Sequence, residues 1–255
     1  GISRLSFHKR SARRSEVPKL ASLIKAGAEL AAAPDTAADF RFQGLTPTLS
    51  VEEALEGADV ILDCSEDALG RRSEYSKLER ARGIIAQGSE HGFGKPYALG
   101  VNDDAIDPEE DRFLHVVSCN THNLSALIRA LTRYPADLSA GRFLCIRRAN
   151  DVGQENGRVG GIVPSDASDH IFGTHHARDV HDLFATLGHD LPLFSSAVKV
   201  PTPFMHGVWF SLSVQDPRLT TEVAKRRLAE DRLVALTFKR SSNAVFSAGR
   251  DRGAW

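Results

Sequence analysis

Cysteine is scarce in this chain, with three residues in 255: Cys64, Cys119 and Cys145. Thiols so few and so scattered cannot build a disulfide framework, so a reducing, cytoplasmic setting is expected. Net charge is almost absent, with 32 Lys and Arg against 33 Asp and Glu. That balance removes the electrostatic case for a nucleic acid or anionic membrane partner. Short basic stretches such as Lys9-Arg10-Ser11-Ala12-Arg13-Arg14 read as a solvated loop or helix start. No apolar run approaches the ~18–20 residues that span a bilayer, and the first residues lack the apolar core of a signal peptide. No internal repeat and no low-complexity linker interrupts the chain. No spacing of Cys and His matches a metal signature, so no metal is expected.

What is present is ordinary for a globular protein: 42% hydrophobic and 25% charged residues. The length allows one large domain or two small ones. A chain that begins at Gly1 without Met, and ends at Trp255 on no obvious stop, reads as a fragment of a longer protein.

The first third alternates strand-like and helix-like segments. Residues 17–27 read as a helix closing on Gly27, and Val51 to Leu55 as a helical turn with Ser50 as N-cap. Ala58 to Cys64 is an apolar strand of the kind buried on both faces of a parallel sheet. A charged helix is expected from Tyr75 to Arg82, then strands at 83–87 and 113–117. Such alternation predicts a doubly wound, Rossmann-like α/β layer.

Beyond residue ~120 the texture changes. Expected there are a helix over 123–134, a strand over 143–148 and a long loop through 151–170. A helix over 177–187, strands over 194–200 and 206–214, a helix over 220–230 and a strand over 232–238 follow. That mixture predicts an α+β catalytic domain with an antiparallel sheet. The expected division is 1–118 for a partial dinucleotide-binding domain and 119–255 for the catalytic domain.

Cys119 ends an apolar strand immediately before a helix, with Asn120 or Thr121 as N-cap. The unpaired N–H groups of a first helical turn, and the positive end of its dipole, favour a thiolate. The same groups could hold an oxyanion. On this setting alone, a nucleophile and an inert structural thiol both remain open. Cys64 and Cys145 lie inside apolar runs and read as buried and inert. A nucleophile needs a partner base, and the candidates are His170, His175, His176, His181, His189 and His206. Adjacent His175 and His176 are expected to diverge. His206, after a proline-containing turn, more often has a structural role as a lone histidine.

A resemblance weighs on these alternatives. Val116-Val117-Ser118-Cys119-Asn120-Thr121 resembles the nucleophile motif of archaeal-type (type II) glyceraldehyde-3-phosphate dehydrogenases. Ala58 to Cys64, Gln87 to His91, Ile146 to Asp151, Ile162 to Pro164, His175 to Val180 and Pro201 to His206 resemble further segments of that family, in order. The set spans residues ~58–215.

The resemblance implies Cys119 as nucleophile and His206 as general base. Ser118, Asn120 and Thr121 would contact substrate, and His175 and His176 would bind substrate phosphate or inorganic phosphate. Gly88 and Arg148 would touch a nicotinamide cofactor, NADP or NAD. A homotetramer acting on a sugar phosphate is implied as well. The reaction implied is reversible phosphorylating oxidation of glyceraldehyde 3-phosphate to 1,3-bisphosphoglycerate through a Cys thioester.

This chain departs from the family pattern at His122-Asn123, where Gly or Ala usually follows the Thr, and at Gly88-Ser89, where two glycines are usual. It contains no Gly-x-Gly-x-x-Gly. The first strand and phosphate-binding turn are therefore expected before Gly1, and the last strands after Trp255. If Gly1-Ile2 ends the second strand, Arg4 with His8, Lys9 and Arg10 would accommodate a 2′-phosphate, so NADP is expected to be accepted at least as well as NAD. A semialdehyde dehydrogenase of the same plan, a Cys-His hydrolase and an inactive remnant are the alternatives.

Overall fold

A computed structural model describes residues 1–88, 90–150, 160–165, 169–202 and 204–251. Ser89, Asp151 and most of the expected 151–170 loop lie outside these, as does Pro203. The chain separates into two compact units, Gly1–Ala86 and Gln87–Trp255. Compactness thus divides ahead of the 118/119 boundary read from the sequence, and a division of roles at that point remains a proposal.

The first unit is a Rossmann-like layer of parallel strand pairs and helices. Strand β1 (Ser6–His8) pairs in parallel with β2 (Glu29–Ala31), and helix α1 (Val17–Lys25) makes the crossover. Pro18 sits in the first turn of α1, where its missing N–H costs nothing. Gly27, at φ +95°, ends the helix as expected. Helices α2 (Ala37–Phe42) and α3 (Val51–Glu56) lead to β3 (Val60–Asp63), which is parallel to β4 (Gly83–Gly88). Ser50 caps α3 in a reciprocal capping box with Glu53. Leu20, Leu30, Phe40 and Leu45 form the core of this unit.

Several expectations change here. β3 is buried on one face only: Ile61 and Asp63 are covered, whereas Val60 and Leu62 are 56% and 66% exposed. Cys64, just past that strand, is exposed rather than buried. The helix expected over 75–82 is instead the short α4 (Arg72–Tyr75). Tyr75 is held there by donating its hydroxyl to Asp63 at 2.6 Å.

The second unit opens with the parallel pair β5 (Lys95–Tyr97) and β6 (Phe113–Val117), which leads into helix α5 (Cys119–Leu131). Its mixed sheet has the order β10-β7-β9-β8. The strands are β7 (Leu138–Arg147), β8 (Val163–Pro164), β9 (Leu193–Lys199) and β10 (Gly207–Val214). The expected antiparallel pairing holds for β10–β7 and β8–β9. β7 and β9 are parallel because helix α6 (His175–Ala185) carries the chain back between them. Leu124 and Ile128 of α5 and Val180 and Phe184 of α6 pack on Phe143 and Cys145, so both helices cover one face of β7.

Helices α7 (Thr221–Glu230) and α8 (Ser242–Asp251) complete the described chain. The strand expected over 232–238 is not formed. Leu236 and Phe238 there are 45% and 100% exposed, so no sheet neighbour buries the apolar side chains that suggested it. No described helix is long and apolar enough to cross a membrane.

Candidate active site

Cys119 is the first residue of α5 and is exposed. The N-cap is Ser118 rather than Asn120 or Thr121: its Oγ accepts the Thr121 N–H at 3.3 Å. Capping Thr121 leaves the N–H groups of Cys119 and Asn120 directed out of the helix start. Thr121 is fully buried and its hydroxyl is bonded to Ser118 at 2.9 Å, so it supports the turn from within. Asn120 is also buried. The helix continues for 13 residues, so the sulfur stands at the positive end of a substantial dipole.

A second helix start carries the histidine pair. His175 and His176 are the first two residues of α6, and their rings touch, with centroids 4.0 Å apart. The divergence expected from the sequence does not occur, because both side chains lean back toward the helix start. The cap comes from another element. Ser195 of β9 is fully buried; its Oγ accepts the Ala177 N–H at 3.0 Å and meets the Thr174 hydroxyl at 2.6 Å.

His176 is 2% exposed, and among the described residues neither ring nitrogen has a hydrogen-bond partner. Burial, reinforced by the charges of His175, Arg147 and His206, pushes its pKa down to about 3, so the ring is neutral near pH 7. Burial also pushes His175 down, against the pull of Asp179, while burial pushes Asp179 up.

The third contribution comes from the ends of β7 and β10. Cys145 opposes Val208 and faces the helices; Arg147 lies two residues further along β7 on the same side, and His206 immediately precedes β10. The Cys145 thiol is pushed up to about 11, chiefly by burial, and it senses both Arg147 and Cys119. Both groups therefore lie within Coulombic reach of it. Arg147 acts in the same way on His175 and His176, and His206 acts on His176. The backbone N–H of Arg148 donates to Nδ1 of His206 at 3.1 Å. Arg147 and His206 thus act on the histidine pair at the start of α6, while Cys119, at the start of α5, acts on Cys145 two residues before Arg147 in β7.

Sequence reasoning singled out Arg148 and missed Arg147. Strand alternation from buried Cys145 would have found it. Ser195 left no local signal. A cavity of about 350 Å³ between Gly141, Arg142, Phe172 and Phe194 lies at the other end of β7 and β9, away from this chemistry. Among the described residues, no three His, Cys, Asp or Glu side chains are grouped to hold a metal ion.

Gly88 ends β4 at φ +93°, with open space where a Cβ would stand. Its carbonyl accepts from His115 Nε2 at 2.9 Å. Arg4 is the remaining residue expected to touch the cofactor. β1 begins at Ser6, so Arg4 precedes the strand rather than following its carboxyl end, where ligands of such sheets bind. Its guanidinium is also engaged by Glu29 of β2, with the Nη2–Oε1 contact at 3.1 Å. Lys9 and Arg10 do follow the carboxyl end of β1, and Lys9 is paired with Glu16 at 2.7 Å.

The chain is similar to archaeal glyceraldehyde-3-phosphate dehydrogenases. It is 26% identical to the enzyme of Pyrobaculum neutrophilum over 68% of its own length and 49% of the relative. It is likewise 26% identical to that of Metallosphaera sedula over 90% of its length and 66% of the relative. The Methanobacterium bryantii enzyme is 26% identical over 68% and 49% respectively. The chain thus spans about half to two thirds of the length of these relatives. No protein-family sequence profile matches it.

Proposed function

We propose that this chain carries the catalytic part of a phosphorylating aldehyde dehydrogenase acting on glyceraldehyde 3-phosphate with NADP or NAD. One observation carries the reading: an exposed cysteine is the first residue of one helix and a touching histidine pair opens another, with Arg147 acting electrostatically on both the pair and the strand cysteine that senses Cys119. Such a site suits a nucleophile beside an anion. Cys119 would add to the aldehyde carbon, a bound nicotinamide would accept the hydride, and phosphate would attack the resulting thioester to release 1,3-bisphosphoglycerate and the thiolate. Ser118 and Asn120 flank the reacting carbon. The start of α6, with His175, His176 and the Arg147 charge, suits a substrate phosphate or inorganic phosphate. When bound, a nicotinamide supplies the hydride acceptor, with Gly88 and Arg148 as its expected contacts and Lys9 and Arg10 as candidates for a 2′-phosphate. Cytoplasmic residence and assembly into a homotetramer belong to the same proposal.

The reverse half-reaction tests the nucleophile without any nicotinamide. An acyl phosphate should acylate Cys119 alone among the three thiols, as read by intact mass and peptide mapping, and inorganic phosphate should reverse it. Glyceraldehyde 3-phosphate should protect Cys119 from alkylation. Acylation spread equally over Cys64 and Cys119, with no protection, would sink the proposal.

A further inference from the structure

Two side chains share the outward face of the first turn of α5. Asn120 and Thr121 are buried, whereas Cys119 is exposed and His122 is half-buried. Residues three apart on a helix are neighbours, with Cβ atoms about 5–6 Å apart. Helical side chains also lean back toward the helix start, which carries the ring of His122 over the turn that bears Cys119.

The ring is held from outside the helix. Its Nε2 donates to the Leu99 carbonyl oxygen at 3.1 Å. A carbonyl only accepts, so Nε2 carries the hydrogen, and a neutral imidazole then keeps its lone pair on Nδ1. The acceptor is fixed in turn. Asn102, fully buried, accepts the Ala98 N–H at 2.9 Å and donates to the Pro96 carbonyl and the Thr186 hydroxyl. Asp103 accepts the Gly100 N–H at 2.9 Å and the Tyr97 hydroxyl at 3.0 Å.

The charges around the two groups are few. Asp103 belongs to the Leu99 turn, with Arg232 at 3.4 Å and Arg129 in Coulombic reach. On the sulfur side, Cys119 and Arg147 both act on Cys145 of β7. A helix start favours a thiolate and disfavours an isolated imidazolium. A ring in this place therefore gains a proton only together with an anion beside it.

We infer that His122 takes up the Cys119 thiol proton on Nδ1, and so acts as a positioning residue that holds the nucleophile as a thiolate. The inference deepens the dehydrogenase reading above, rests on it, and concerns the thiol proton alone. The S–H bond breaks with its electron pair left on sulfur, and an N–H bond forms at Nδ1. The imidazolium keeps its Nε2–H bond to Leu99, and the resulting pair has no net charge. Acylation of the sulfur removes the anion, and the added proton passes to water. Release of the acyl group returns the thiolate, and the ring takes a proton from water again.

Alkylation of the full chain tests the pair without substrate or nicotinamide. His122→Gln keeps an N–H for Leu99 but cannot take up a proton. With neutral iodoacetamide, and Cys119 followed by peptide mapping, the pH of half-maximal rate should rise by about one unit or more in His122→Gln. The rate near pH 7 should fall about tenfold, while the rate near pH 9.5 stays within about twofold of the parent. An unmoved midpoint, or a loss by the same factor at every pH, overturns the inference. The ring supplies an independent reading. With ¹⁵N-labelled histidine, the resonances lost in His122→Gln identify it. Near pH 7 both nitrogens should carry protons, and only Nε2 should do so once the thiols are capped by methylthiolation. A ring unchanged by capping also overturns the inference. An unmoved midpoint in a chain whose Cys119 is still labelled by an acyl phosphate sinks the pair and leaves the dehydrogenase reading. A raised midpoint in a chain that no acyl phosphate labels supports the pair and sinks that reading.

Discussion

His176 concentrates the cost of building this site into one side chain. A buried imidazole with both nitrogens unpartnered forgoes hydrogen bonds that water would supply, so it persists for a reason other than stability. Its depressed pKa gives that cost a pH signature. In the unfolded chain a histidine takes up its proton near pH 6.5, whereas the folded ring resists down to about 3. The contribution is present above pH 6.5 and is lost as pH falls through that window, by about 3 kcal/mol at pH 4. Asp179 works in the opposite sense, since burial raises it and acid relieves the cost of its charge. Urea melts of the parent and of His176→Phe should therefore separate with pH, the parent losing stability faster between pH 6.5 and 4. Parallel curves would show that the ring is not shielded as described.

Among the elements, the helix bearing the histidine pair depends most on distant residues. Gly173, at φ +79°, turns the chain into α6, and a Cβ there would stand 2.2 Å from the Ser195 carbonyl oxygen. Ser195 then caps the helix from β9. Ser195→Ala should cost about 1–2 kcal/mol in a denaturant melt, and Gly173→Ala should cost more, because strain and collision add. A Gly173→Ala protein as stable as the parent would contradict the turn. These residues also mark the limit of what the sequence discloses. Ser50, Gly27 and the Phe113–Val117 strand running into Cys119 are local signals, and each appears where expected. The Ser195 cap joins positions 18 residues apart through a strand and a helix, and nothing in the Leu193–Lys199 pattern announces it. The reading of 232–238 as a strand failed for the converse reason: apolar alternation is necessary for a half-buried strand, but only a neighbour in space makes it one.

For the whole molecule, helices cover one face of the mixed sheet, and the other carries large apolar side chains among Ser196, Ser211, Ser213 and Arg142. Register places Leu144, Ile146, Phe194, Val198 and Trp209 on the open side, with Trp209 60% exposed. Soluble single copies rarely leave such a face to water. The outward charge on these three strands is Arg142, near one end, so two copies of the face can meet without opposing charges at the centre. If the proposed homotetramer forms, this face is where copies should join. Trp209→Asp should then shift the mass measured by light scattering toward the single chain. An unchanged assembly would exclude this surface. At this scale the mixture of an α/β layer with a mixed-sheet α+β layer was legible from alternating periodicities. The parallel β7–β9 pair within an otherwise antiparallel sheet follows from one helical return, which the expected helix over 177–187 already implied.

A hydroxyl shared between β9 and α6 has a consequence for how the protein ages and fails. If the start of α6 holds phosphate as proposed, that grip depends on a strand staying in register, so slight fraying of the strand would blunt ligand capture well before the chain loses its shape. Heating or mild denaturant should erode function along a gentler, earlier curve than ellipticity, with Ser195 as the hinge between the two.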